Sequence, residues 1–294
     1  MRSFITVGVD MTAAESASSS WAEGDLVRVH RTLYDMLVDF DAVCAEMSIP
    51  YWLDSGTLLG AVRHGGFIPW DDDVDVCMFR SDVERFRASV VETDFARKYS
   101  VQTTADDPLV AVDIKIFHNQ SRVKSRTAAL YKTPHTSHQG LHLDVLVMDA
   151  VSTNSFIRLA ERLVRSAGWR KPTARRMLIA PYQSPLKRVA RLGLVLTPGR
   201  FLQMLERGLD VRAGKRMGRM FGLGRSGMYS RRPLYRSEIV PLQRIAFGDG
   251  SFPAPARVDE YLRSLYGPTY MTPPPDEERL PHFIDVQFFD SWDG

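Results

Sequence analysis

Five aspartates carry most of the chemical information in this sequence. Four stand in the run Trp70-Asp71-Asp72-Asp73-Val74-Asp75-Val76, and the fifth, Asp144, interrupts the apolar stretch Leu141-His142-Leu143-Asp144-Val145-Leu146-Val147. In an extended chain successive side chains point to opposite faces, so Asp71, Asp73 and Asp75 fall on one side and Asp72 on the other. Carboxylates placed that close repel one another unless a cation neutralises them. A hard divalent ion does so, and Mg²⁺ typically takes one or two carboxylates together with substrate phosphate oxygens. The spacing therefore predicts a metal held by Asp73 and Asp75. An acidic cluster taken alone is more often a solvated turn. This one leads into alternating valines and is matched by the lone Asp144 in a second apolar run. Asp144 is expected to act either as a further metal ligand or as the base that accepts the proton of an acceptor hydroxyl.

The elements that must position these groups can be read from the pattern. Leu26, Val29, Leu33, Leu37, Phe40, Val43, Cys44 and Met47 share one helix face over 25–47, and Pro50 ends that helix. Residues 51–53 read as a short strand. Ser55-Gly56-Thr57 opens a helix that runs over 58–63, where the glycine and the free N–H groups of a first turn would suit a phosphate. Gly65-Gly66 marks a turn, Val74–Phe79 a strand, and 81–91 a helix with Ser81 as N-cap and Glu84 in the capping-box position. Strands follow over 109–117 and 141–147, separated by a polar loop over 133–140. Beyond Asp149 the character turns helical: Phe156, Ile157, Ala160, Leu163, Val164 and Ala167 form one stripe. Ser184-Pro185 and Thr197-Pro198 each read as an N-cap before a helical proline. A last helix fits Val258–Tyr266.

The sum is an α+β chain: a disordered lead-in over 1–22, a catalytic core over 23–150, a basic helical insertion over 151–238, and a segment over 239–294 that packs back on the core. Cys44 and Cys77 alone make no disulfide framework, which points to a reducing compartment. The apolar run 4–9 is too short for a secretory core, and no stretch is apolar for long enough to span a bilayer. A cytoplasmic protein is expected, peripheral at most at the inner face of the membrane.

The segment 52–76 resembles the signature of the LicD family, whose relatives include the fukutin-related proteins. The shared pattern has Gly56-Thr57-Leu58-Leu59-Gly60, Arg63-His64-Gly65 and Ile68-Pro69-Trp70-Asp71-x-Asp73-x-Asp75. Leu143-Asp144 is similar to the family's downstream aspartate strand. Tyr261-Leu262, Leu265-Tyr266-Gly267, Tyr270-Met271, Pro274-Pro275 and 279–282 resemble its C-terminal signature. The resemblance implies a nucleotidyltransferase-like mixed β-sheet flanked by helices. It also implies Mg²⁺, with Mn²⁺ as the alternative ion, and transfer of a phospho-alcohol such as phosphocholine or a polyol phosphate. The donor would be CDP-linked, the acceptor a glycan or lipid-linked glycan of the cell surface, and CMP the leaving product. Mapped by position, Asp73 and Asp75 are metal carboxylates, Asp71 an accessory one and Asp144 the third. Thr57 takes the place of a serine in the wider pattern. Val145-Leu146-Val147 stands where relatives often have Ile-Phe-Pro. Arg63, Lys115 and His282 are candidates for phosphate contacts, beside Gly56 and Thr57.

Two other features draw attention. His135, His138 and His142 have spacings that zinc could use, but without a cysteine among them substrate contact or plain surface is the better expectation. From Arg158 to Arg236 the chain carries 20 Arg or Lys against three acids, Glu161, Glu206 and Asp210, although its net charge is only +3. Basic helices interleaved with apolar residues suit an anionic membrane surface, and a solvated helical unit is the plainer alternative. No nucleic-acid partner is expected, because no binding motif accompanies the charge. The alternatives to phospho-alcohol transfer are a nucleotidyltransferase that releases pyrophosphate and a non-catalytic membrane or nucleic-acid binding module that keeps the fold.

Overall fold

The computed structural model describes residues 23–103, 114–126, 139–178, 185–215, 218–223 and 232–289. The expected lead-in over 1–22, the first part of the strand read at 109–117, the loop residues His135 and His138, and Ser184 lie outside the described residues.

Helix α1 (Glu23–Glu46) turns Val29, Leu33, Met36, Leu37, Phe40, Val43 and Cys44 into the core, the i, i+3/i+4, i+7 face that its sequence advertises. Phe40 stacks edge-on against Tyr51 and tilts against Phe86, which joins α1 to the elements beyond it. The chain then forms β1 (Trp52–Leu53), α2 (Ser55–His64), β2 (Val74–Phe79), α3 (Arg80–Val90), α4 (Phe95–Lys98), β3 (Tyr99–Thr103), β4 (Ile114–His118), β5 (Ser121–Ser125) and β6 (His142–Ala150). Gly65 closes α2 in the left-handed region at φ 71°, where the expected turn lies and where a Cβ would be strained.

β6 is the centre of a mixed sheet. One edge runs parallel to β2, which pairs antiparallel with β1. The other edge pairs antiparallel with β4, which carries β3 outside it. Further along, that same edge receives β7 (Met220–Leu223), and β8 (Leu234–Tyr235) follows on β7. Leu143, Val145, Leu146, Val147 and Met148 are all buried, as a strand covered on both faces requires. Between β6 and β7 stand α5 (Ser155–Leu178), α6 (Pro185–Leu196) and α7 (Gly199–Lys215).

After β8 come α8 (Arg236–Ile239), the hairpin β9 (Gln243–Phe247) and β10 (Gly250–Ala254), α9 (Val258–Tyr266), a 3₁₀ turn and β11 (Phe283–Phe288). β11 pairs antiparallel with β5, and the Trp52 indole N–H donates to the Tyr261 hydroxyl at 3.0 Å, so the end of the chain is tied to its beginning.

Two local expectations are corrected. α3 begins at Arg80 after Phe79, with no side-chain cap, so the Ser81/Glu84 capping box does not form. α7 begins at Gly199, so Pro198 precedes its first turn, and the Thr197 hydroxyl donates to the Gly193 carbonyl at 2.8 Å at the end of α6. The competing bond is local, as serine and threonine often choose.

Leu33, fully buried, and Val27, 67% exposed, lie on opposite faces of α1. Leu33→Ala is expected to lower unfolding free energy in urea by about 2–5 kcal/mol, and Val27→Ala to stay within about 0.5 kcal/mol of the parent.

Candidate active site

Asp75 and Asp144 are register partners across the parallel β2–β6 pair, and Lys115 of β4 is the partner of Asp144 on the other side. Side chains of paired residues share a face, so these three form a row across adjacent strands spaced by about 4.8 Å. The Lys115 ammonium lies 2.7 Å from one oxygen of Asp144 and 3.0 Å from the other. Lys115, expected to touch phosphate, is therefore paired with a carboxylate.

The ladder begins only at Val74, yet the alternation predicted from the sequence extends further back. Asp72 and Val74 are buried, whereas Asp71, Asp73 and Asp75 are each partly open to solvent. Asp72 is fully enclosed. One of its oxygens lies 2.9 Å from Nδ1 of His282, and the other accepts the Phe283 N–H at 2.7 Å. Arg126 completes the connection, its N–H donating to the His282 carbonyl at 2.8 Å. His282 is thus brought beside the cluster, 3.9 Å from Asp73, by a carboxylate that sequence reasoning left without a role. The hydrogen bond that His282 donates to Asp72 and the charge of Asp73 raise the imidazole to about 10.

α2 supplies the third wall. The Thr57 hydroxyl, almost fully buried, accepts the Asp75 N–H at 2.8 Å, and the Asp54 N–H donates to the Asp75 carbonyl at 3.0 Å. Thr57 therefore registers α2 against β2. A Cβ at Gly56 would lie 2.5 Å from Oδ2 of Asp71, so glycine is what lets that carboxylate rest on the first turn of the helix. Negative charge is favoured there by the helix dipole. Ser55 begins the turn in the left-handed region at φ 44°, a conformation that costs a non-glycine residue about 1–2 kcal/mol. Burial raises Asp54, which precedes it, to about 6.

The electrostatics match the geometry. Burial and the Asp73 charge push Asp71 well above the usual carboxylate range. Burial raises Asp73 as well, with Asp72 and Asp144 adding to it against His282 and Lys115. Asp75 is pushed well up by burial, then by Asp73, Asp144, Asp54 and Asp71. Such a set is short of positive charge, and an oxygen-rich cleft of this kind fits a hard divalent cation. Ligand atoms of Asp71, Asp72 and His282 also lie within 4.8 Å of one another, but Asp72 already serves His282 and the Phe283 N–H.

Further groups reach the same place. The guanidinium of Arg63 sits 5.9 Å from the Trp70 ring centroid and that of Arg279 5.1 Å, and Arg63 donates to the Tyr270 carbonyl at 3.4 Å. Burial, and then the nearby charge of Arg279, lowers Arg63. Tyr266 is half-buried, and burial followed by the charges of Asp75, Asp54, Asp71 and Asp73 pushes its hydroxyl well up. Trp70, Tyr266 and Asp72 had no assigned role in the sequence. Of the histidine loop, only His142 is described: it is half-buried, 3.7 Å from Asp144, and burial with Lys115 lowers it to about 4.

With two strands delivering Asp75 and Asp144 to one face, the chain's likeness to known proteins has a structural footing. Residues 48–158 match the LicD/FKTN/FKRP nucleotidyltransferase domain, the segment that holds every one of the cluster's aspartates. Over that segment the chain is similar to the LicD family. It is 46% identical over 67 residues to the lipopolysaccharide cholinephosphotransferase LicD of Haemophilus influenzae, covering 23% of this chain and 25% of that protein. It is 39% identical over 82 residues to the mouse ribitol 5-phosphate transferase FKRP, covering 28% of this chain and 16% of that protein. Against human FKRP the figures are 57% over 41 residues, 14% of this chain and 8% of that protein. The chain thus spans a quarter or less of these relatives' lengths. His282 and Arg279 lie beyond the matched domain, and the β5–β11 pairing together with Asp72 brings them to the site.

Asp72→Ala should leave the Phe283 N–H unsatisfied and release His282. The expected cost is about 1–3 kcal/mol in chemical denaturation. In hydrogen exchange, amides of 283–288 should lose protection before those of β6. Protection unchanged in β11 would show that Asp72 does not hold it.

Proposed function

We propose that the chain is a metal-dependent phosphotransferase that moves a phospho-alcohol, of the phosphocholine or polyol phosphate type, from a CDP-linked donor to a hydroxyl of a glycan or lipid-linked glycan. The single observation that carries this reading is the register of Asp75 with Asp144 across parallel strands, with Asp73 beside them and Lys115 on the far side. The names of the relatives supply the class of group transferred, phosphocholine for one and ribitol 5-phosphate for the other. We read the mixed sheet with its helices as a nucleotidyltransferase-like core over 23–150, with 151–238 inserted and 239–294 packed back on it.

Phosphoryl transfer depends on in-line positioning and charge neutralisation more than on covalent chemistry by the protein. Asp73, Asp75 and Asp144 would hold Mg²⁺ or Mn²⁺, with Asp71 accessory. That ion, when bound, neutralises donor phosphate oxygens and sharpens the phosphorus as an electrophile. Arg63 and Arg279, both near the Trp70 ring, would take the remaining phosphate charge, as guanidinium forks do. His282, positively charged at neutral pH beside Asp73, would add to it. Asp144 would orient the acceptor hydroxyl or accept its proton, with Lys115 fixing the carboxylate. The acceptor oxygen forms its bond to the phosphorus that bears the alcohol, the bond from that phosphorus to the bridging oxygen breaks, and CMP leaves. Gly56 and Thr57 act by placing Asp71 and Asp75.

Incubation with a panel of CDP-alcohols, glycan acceptors and Mg²⁺ should release CMP. Asp75→Asn and Asp144→Asn are expected to reduce turnover by about 10²–10³-fold, a loss typical of removing one group that stabilises transition-state charge. Release of pyrophosphate from CTP instead of CMP would identify a nucleotidyltransferase.

Metal should also be visible without turnover. In chelator, Asp73→Asn is expected to melt above the parent, because a repelling charge is gone. Added Mg²⁺ should raise the parent's melting temperature, by an amount equivalent to about 2.7 kcal/mol at a hundredfold excess over Kd, and leave the variant's unchanged. An equal rise in both would remove Asp73 from the metal site.

A further inference from the structure

Helix α5 is folded inside out. The side facing the body of the protein is polar: Glu161 accepts the Ser152 N–H at 3.1 Å, and Arg165 pairs with Asp149 at 2.9 Å, where Arg80 also binds. The opposite side is apolar, with Phe156 85% exposed and Leu159 and Leu163 more than half exposed. The two helices that follow also expose large apolar side chains. Val189, Leu192 and Leu196 lie at i, i+3 and i+7 on α6, and Leu196 is 73% exposed; Phe201, Met204 and Val211 project from α7. Between α5 and α7 runs a groove of about 310 Å³ lined by Ile157, Val164, Met204 and Leu205, with Glu161 and Arg212 also on its walls. Large apolar side chains exposed on three successive helices mark something the chain meets.

Charge decides what. Arg162, Arg188, Arg200, Arg207 and Arg212 are exposed on the same three helices. Glu161 and Glu206, two of the three acids in the whole segment, are buried. A second copy of this face would bring like charge against like charge. A nucleic acid would answer the arginines but leave the apolar side chains against phosphates and water. An anionic bilayer answers both, with headgroups for guanidinium groups and an acyl boundary for the stripes.

We propose that α5, α6 and α7 form a platform that lies on an anionic lipid surface, with Phe156, Leu163, Val189, Leu196 and Phe201 entering the headgroup boundary. The inference does not depend on the transfer reaction. Where both hold, the platform brings the carboxylate site to acceptors that are lipid-linked. No helix among the described residues is long and apolar enough to cross a membrane, so the contact is with the surface.

The test uses the full chain and vesicles of phosphatidylcholine, with and without phosphatidylglycerol. Co-sedimentation should occur with the anionic vesicles and fall by roughly tenfold or more on their replacement by phosphatidylcholine alone or on raising salt. Phe156→Ser with Leu163→Ser and Phe201→Ser should weaken binding to a similar degree, while circular dichroism and melting stay at parental values, because all three are surface positions. A second readout covers any variant that misfolds. Cys44 and Cys77 are buried, so Phe156→Cys and Lys124→Cys can be labelled selectively with a polarity-sensitive dye. The label at 156 should shift to the blue on anionic vesicles and the label at 124, on β5, should not. Absence of sedimentation with either vesicle, equal dye response at both positions, or self-association that the serine variants abolish would overturn the proposal. None of these readouts involves turnover, so failure here leaves the catalytic reading standing and the reverse holds too.

Discussion

Negative charge crowded at one end of two parallel strands is the constraint around which this molecule is built. At an effective dielectric near 20, two full charges about 5 Å apart repel by roughly 3 kcal/mol, and here Asp71, Asp73, Asp75 and Asp144 meet on one side of the β2–β6 pair. The surroundings absorb part of that cost in different ways. Asp144 has the Lys115 ammonium against both oxygens. Asp71 rests on the first turn of α2, over a residue without a Cβ. Asp75 has the least relief, because the charges acting on it most strongly, Asp73, Asp144, Asp54 and Asp71, are all of its own sign. A fold does not assemble such a group for stability. It can hold it because the backbone around it is over-determined, with Thr57 and Asp54 both fastened to Asp75.

The strand period divides labour between neighbouring aspartates that look equivalent on paper. Asp71, Asp73 and Asp75 face the cleft, whereas Asp72, one residue out of phase, enters the core and fastens the C-terminal segment. That bond matters because β11 lies far along the chain from the carboxylates, and the β5–β11 pairing together with Asp72 is what returns His282 and Arg279 to them. A change at Asp72 would therefore be felt in the site without removing any group that faces it.

Much of this arrangement was legible in the residues. Alternation of charge and valine located β2 and the side on which its carboxylates stand, and a single aspartate in an apolar run located β6. The helical face of α1 followed from its period. Pairing between distant segments was not legible: nothing local in Asp72 announces that its partners are His282 and the Phe283 N–H, and nothing in Lys115 says that it meets Asp144 before any phosphate. Local rules also lost where a nearer bond competed. Ser81 offered a cap that α3, starting at Arg80, does not use, and Thr197 turned its hydroxyl back to Gly193. Most instructive is α5, whose apolar period was read correctly while its direction was not given by period at all.

The direction of α5 is set by ions, and that fact argues about purpose. A helix with Phe156, Leu159 and Leu163 on one face would ordinarily turn that face inward, since each large side chain buried contributes about 1.5–3 kcal/mol. Here the inward side carries Arg165, which shares buried Asp149 with Arg80, and Glu161, which holds the Ser152 N–H. Buried ion groups of this kind are seldom more stabilising than well-packed apolar residues of the same volume, because desolvation cancels much of their attraction. What they supply is orientation: with Asp149 fixed in β6 and held by Arg80 of α3, α5 takes the rotation that brings Arg165 to Asp149 and Glu161 to the Ser152 N–H, and that rotation exposes the apolar stripe. Asp149 lies five residues beyond Asp144, about 17 Å along the same strand. The strand that carries the site at one end therefore fixes, at its other end, which way the apolar platform faces.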